Sequence, residues 1–114
     1  MKRLIISTVL ALSCMAGFAQ SDSLKVTIFG DSYSTFEGWL TPSTNETWYW
    51  KADSPQRDKK NDVSRVEETW WYQVIEKMGW KLEKNNSYSG STVGYYGYEN
   101  ENYQPRSFNT RVGD

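Results

Sequence analysis

Two short blocks carry the residue types that could do chemistry. The first is Gly30-Asp31-Ser32-Tyr33-Ser34, placed directly after an apolar run. A serine at a strand-to-helix turn stands at the carboxyl edge of a sheet, where backbone N–H groups at the helix start favour a developing oxyanion. The second is Asn85-Asn86-Ser87-Tyr88-Ser89-Gly90, which follows another short β-rich run. If both runs belong to one parallel sheet, the two blocks share one edge. Gly-Asp-Ser alone also fits an ordinary turn in which Asp31 or Ser32 caps a helix. The chain contains no histidine, so no imidazole base or ligand comes from it. A serine hydroxyl is a weak nucleophile without an adjacent base.

The elements that must position these blocks follow from pattern. Leu24 to Phe29 alternates toward β and is closed by Gly30, which predicts a strand over 24–29. Tyr33 to Gly38 predicts a short helix stopped by glycine. Residues 41–64 are rich in Ser, Thr, Asn, Asp and Lys and read as a long loop around Trp48-Tyr49-Trp50. Ser64 and Glu67 form a Ser-x-x-Glu capping box. Val66, Trp70, Trp71, Val74, Ile75 and Met78 then fall on one helical face, and Gly79 supplies the stop, so a helix is predicted over 65–78. Trp80 to Asn85 predicts the second strand, and 86–97 a Gly-, Ser- and Tyr-rich loop containing Gly94 and Gly97. Arg106 to Val112 predicts another helix. This alternation implies an α/β layered sheet.

Composition narrows the function classes. Thirteen Lys and Arg stand against 14 Asp and Glu, a formal charge of -1. A nucleic-acid binder would show a basic excess. A single Cys excludes an internal disulfide framework and a multi-cysteine zinc site. Asp58 to Thr69 lacks the glycine and the final glutamate of a calcium loop and reads as a solvated charged segment. No metal or cofactor is expected.

Residues 1–19 have the form of a secretory signal: Lys2 and Arg3, an apolar stretch from Leu4 to Phe18 too short for a membrane span, then Gly17 and Ala19 before the cut. The protein is therefore expected to be exported, periplasmic or secreted. The alternative is a lipoprotein joined through Cys14. Residues 20–114 are expected to form the domain, without a membrane span.

In order and context, the two blocks resemble the SGNH (GDSL-type) hydrolases. The matching residues are Gly30-Asp31-Ser32-Tyr33-Ser34 and the Asn-x-Ser-x-Ser-Gly stretch ending at Gly90. Thr35-Phe36-Glu37-Gly38-Trp39 and Glu68-Thr69-Trp70-Trp71 also look like bacterial members labelled GDSL-like lipases or acylhydrolases. The resemblance spans about residues 24–114. It implies a three-layer, doubly wound parallel sheet of flavodoxin-like type, incomplete in this chain. It also implies that Ser32 is the nucleophile, and that the N–H groups of Ser32 and Gly90 form part of the oxyanion hole. The family's later Gly-x-Asn-Asp and Asp-x-x-His blocks are not in this sequence. The expectation is thus the N-terminal portion of a serine esterase that is inactive, or nearly so, on its own.

The substrate expected is a small-molecule or carbohydrate ester, with removal of an O-acyl group such as acetyl. Six Trp and eight Tyr give this reading its aromatic surface, and Trp48 and Trp50 are the candidate substrate contacts. The alternative is a non-catalytic carbohydrate-binding module, or a decayed fragment, using the same aromatics. That alternative needs no base, but it leaves the Gly-Asp-Ser block and the Gly90 loop unexplained.

Overall fold

The computed structural model describes residues 23–96 and 103–113. The expected signal at residues 1–19, Cys14 and Gly97 lie outside the described residues. Two strands form the sheet, β1 (Lys25–Ile28) and β2 (Lys81–Asn85), and they pair in parallel. A parallel pair needs a crossover, and helix α1 (Trp70–Met78) supplies it. This is a partial α/β unit of two parallel strands; it does not by itself make three layers.

The register runs Lys25 to Lys81, Val26 to Leu82, Thr27 to Lys84 and Ile28 to Asn85, so β2 holds one extra residue, Glu83. Such a bulge turns the strand locally. The strand ends thereby bring Ile28 and Asn85 level, each two residues before Gly30 and Ser87 respectively.

Helix α1 is shorter than predicted. Val66–Glu68 forms a separate 3-10 turn, and Thr69 is extended at φ -73° and ψ 144°. The carboxylate that closes that turn belongs to Glu68, not Glu67: it accepts from the N–H groups of Ser64 at 2.8 Å and Arg65 at 3.1 Å. Thr69 Oγ1 donates back to the Val66 carbonyl rather than capping α1. At the other end Gly79 adopts φ 66°, and Trp80 N–H returns to the Ile75 carbonyl at 3.0 Å, which ends the helix as expected.

The core also departs from the predicted face. Trp71 and Ile75, one turn apart, are buried against the sheet with Ile28, Phe36 and Tyr49. Trp70, Val74 and Met78 lie on the next stripe and stay exposed, because the two strands cover only one side of α1. Residues 41–64 are a loop as predicted. Backbone bonds pin it: Glu37 N–H to the Tyr49 carbonyl, Thr41 N–H to the Asn85 carbonyl, and Ser89 N–H to the Glu46 carbonyl. The predicted final helix becomes a 3-10 turn, Gln104–Arg106, followed by a short helix α2 (Phe108–Arg111). No helix among the described residues is long and apolar enough to cross a membrane.

Candidate functional site

The carboxyl ends of β1 and β2 lead into the two blocks. After β1 the chain makes one 3-10 turn, Ser32–Ser34, in place of the predicted helix over 33–38. Asp31 caps it, with Oδ1 accepting from Tyr33 N–H at 3.1 Å. Thr35 N–H closes it on the Ser32 carbonyl at 3.1 Å, and Thr35 Oγ1 donates to the same carbonyl at 2.7 Å. The turn stops because Thr35 is already extended at ψ 151°.

Gly30 is required by space. A Cβ there would lie 2.2 Å from Ser34 Oγ and 2.4 Å from Ser34 Cβ. Trp70 Nε1 donates to Ser34 Oγ at 3.1 Å, so the exposed tryptophan still braces the turn. Its expected role was core; its position at the first residue of α1 aims the indole N–H at the turn instead.

The second block is the most deeply buried polar segment described. Asn85, Asn86 and Ser87 are each 0% exposed. Asn85 Nδ2 donates to the Ser34 carbonyl at 2.9 Å, while Asn85 Oδ1 accepts from Ser87 N–H at 3.1 Å. Tyr88 N–H donates to the Gly30 carbonyl at 3.1 Å. The two blocks are thus locked together at the sheet edge. Most of this buried polarity pairs within the segment and its neighbours, and Ser87 Oγ is the exception, with no hydrogen-bond partner among the described residues.

Two residues complete the lock, and sequence pattern assigned neither of them a place in the site. Asn45, from the long loop, donates to Asn86 Oδ1 at 2.9 Å and to the Ser87 carbonyl at 3.0 Å. Its amide is therefore engaged inside the fold, not displayed. Arg111 is 3% exposed, and its guanidinium bridges both blocks. It donates to the carbonyls of Asn86 and Gly30, to the Arg106 carbonyl, and to Ser91 Oγ. Arginine is rarely buried unless its donors are engaged, and here carbonyls from three chain segments engage them. Their sequence separations of up to 81 residues explain why no local pattern announced it.

Ser32 itself is half-buried. Among the described residues, neither its N–H nor that of Gly90 donates to a backbone carbonyl. Gly90 holds φ 75°, a left-handed conformation that glycine adopts without strain. Arg106 lies against it: a Cβ on Gly90 would stand 3.2 Å from Arg106 Nη1. The same guanidinium sits over the Tyr103 ring, with Cζ 4.0 Å from the centroid. A cleft of about 180 Å³ beside the turn is lined by Phe29, Gly30, Asp31, Ser91, Phe108 and Arg111, among others.

The aromatic loop reaches this edge through Thr35, whose Oγ1 accepts from Trp48 N–H at 2.8 Å. Trp48 is exposed, Trp50 half-buried and Tyr49 buried in the core. Burial, with smaller contributions from Asp62, Tyr33 and Asp31, pushes the Tyr49 hydroxyl pKa above its ordinary value. The other aromatic-lined cleft, about 380 Å³, gathers Trp39, Trp71, Tyr72 and Trp80 instead.

A parallel α/β unit with a serine turn and a glycine loop at one carboxyl edge defines the class. Comparisons sharpen it. The sequence profile of the GDSL-like Lipase/Acylhydrolase family matches residues 24–114. A crystal structure from Bacteroides uniformis ATCC 8492, described as a GDSL-like lipase, is 50% identical with TM-score 0.71 and covers 81% of this chain. One from Bacteroides ovatus ATCC 8483, with the same description, is 44% identical with TM-score 0.71 and covers 79% of this chain. The chain belongs to the GDSL-like lipase/acylhydrolase family. It covers 42% of each of those two chains. No curated protein matches it.

Proposed function

We propose that this chain is the nucleophile-bearing part of a serine ester hydrolase. Ser32 Oγ attacks the ester carbonyl carbon, and the N–H groups of Ser32 and Gly90 receive the developing oxyanion. The alcohol leaves, and water then hydrolyses the acyl-serine, releasing the acid and restoring the hydroxyl. A proton must leave Ser32 at the first step. With no histidine in the sequence, an imidazole for that purpose must come from outside these residues. The single observation that carries the reading is the pairing of the Ser32 turn with the Gly90 loop through the Tyr88 N–H to Gly30 carbonyl bond.

In this reading the whole domain is a three-layer doubly wound sheet, of which β1, α1 and β2 are the first unit. The protein is exported through residues 1–19. Its substrate is a carbohydrate bearing an O-acyl group such as acetyl. Support for the sugar is the exposed Trp48, tied by Thr35 to the Ser32 turn, because an exposed indole offers a flat apolar face. Trp50, half-buried, contributes less surface.

The test is hydrolysis of p-nitrophenyl acetate. The chain as it stands should show no Ser32-dependent turnover. The domain at the full length of its relatives should turn over, and Ser32→Ala should abolish this without altering the near-UV circular dichroism. Retained turnover in that variant would remove Ser32 as the nucleophile.

A further inference from the structure

We propose that Arg106 makes this site select an ester whose alcohol or acyl part carries an anionic group. The proposal rests on the ester-hydrolase reading and deepens it by naming a substrate class. Arg106 is half-buried, and its side chain makes no hydrogen bond or ion pair among the described residues. Its backbone, by contrast, is fully used: the N–H donates to the Tyr103 carbonyl at 3.0 Å, and the carbonyl accepts from Arg111 Nε at 3.0 Å. The backbone is fixed while the guanidinium edge is left to a ligand.

Two contacts hold that edge in place. Tyr103 lies under the guanidinium plane, which orients it without using its N–H donors. Gly90, lacking a side chain, lets Nη1 approach a loop whose Gly90 N–H has no acceptor among the described residues. A guanidinium presents a planar fork of donors that matches an oxyanion group bidentately. Beside the Gly90 N–H, such a fork favours a substrate with negative charge next to the scissile ester. The chemistry shared by the possible ligands is an oxyanion on a sugar, either a uronate carboxylate or a sulfate ester.

Titration of the 15N-labelled chain with sodium D-glucuronate, D-glucose 6-sulfate and D-glucose, followed by amide shifts, tests this. The Gly90 and Ser91 amides should shift saturably with at least one of the two anions and not with glucose. Arg106→Gln should weaken that binding at least tenfold, whereas Lys77→Gln, which removes an equal charge from the exposed side of α1, should not. Glucuronate alone binding identifies a uronate, and the sulfate alone a sulfated sugar; either supports the proposal. Absence of saturable shifts with both anions, an equal response to glucose, or unchanged affinity in Arg106→Gln overturns it. Failure of the Ser32 reading would show in the hydrolysis assay and leave this titration untouched.

Discussion

Replacing Arg111 with methionine should destabilise the site edge, although methionine keeps an unbranched, flexible side chain. The guanidinium donates to the carbonyls of Asn86, Gly30 and Arg106 and to Ser91 Oγ. Gly30 keeps its bond from Tyr88 N–H, and Ser91 is partly open to water. The Asn86 carbonyl, within a fully buried residue, is the one stranded, because Arg106 is half-buried like Ser91. An unsatisfied buried acceptor costs ~1–3 kcal/mol, which sets the expected loss. Domains are stable by only ~5–15 kcal/mol, and a loss of that size is a large share. The assay is urea unfolding followed by tryptophan emission. With a slope of about 1 kcal/mol/M for a small domain, the midpoint should fall by about 1–3 M. Ser91→Ala, which removes one solvent-reachable partner, should shift the midpoint by less than about 1 M. A midpoint for Arg111→Met within about 0.5 M of the parent would refute the clamp, as would a parent chain with no cooperative transition.

Gly30→Ala should destabilise by ~1–3 kcal/mol, because its Cβ collides with the Ser34 side chain, and the loss should be read in the same urea curves. The carboxyl of Glu68 is held down to about 2, chiefly by the Ser64 N–H bond and then by Arg65. A carboxyl with a depressed folded-state pKa stabilises the fold above its unfolded value near 4.5, and that help fades as pH falls toward 2. Glu68→Gln should therefore show a flatter melting-temperature profile than the parent between those pH values, and parallel profiles would contradict the assignment.

The strands and the crossover helix were legible because their information is local. Leu24 to Phe29 and Trp80 to Asn85 each shortened by a residue or two at the ends, where pairing stops. The start of α1 was misplaced because Ser64 and Glu67 match a cap in spacing, whereas Glu68 folds back and Thr69 breaks the run. The exposed stripe of Trp70, Val74 and Met78 could not be told from the buried one by periodicity alone. Ser32 and Gly90 stood out in the sequence as motif positions, and the turn and loop that carry them meet at one sheet edge. Asn45 and Arg111 did not stand out as site residues, because each gains its meaning from a carbonyl or amide far along the chain.

The extra residue at Glu83 has a consequence for how this protein can change over generations. β2 delivers the Asn85–Ser87 segment to the Gly30 turn at a fixed count of residues, and that count already includes the bulge. Loss or gain of one residue between Lys81 and Asn85 would turn Asn85 away from the Ser34 carbonyl and reverse which side chains face inward. Insertions in the exposed stretch from Lys51 to Asp62 meet no such count. Natural length variation should therefore gather in that loop and spare the second strand.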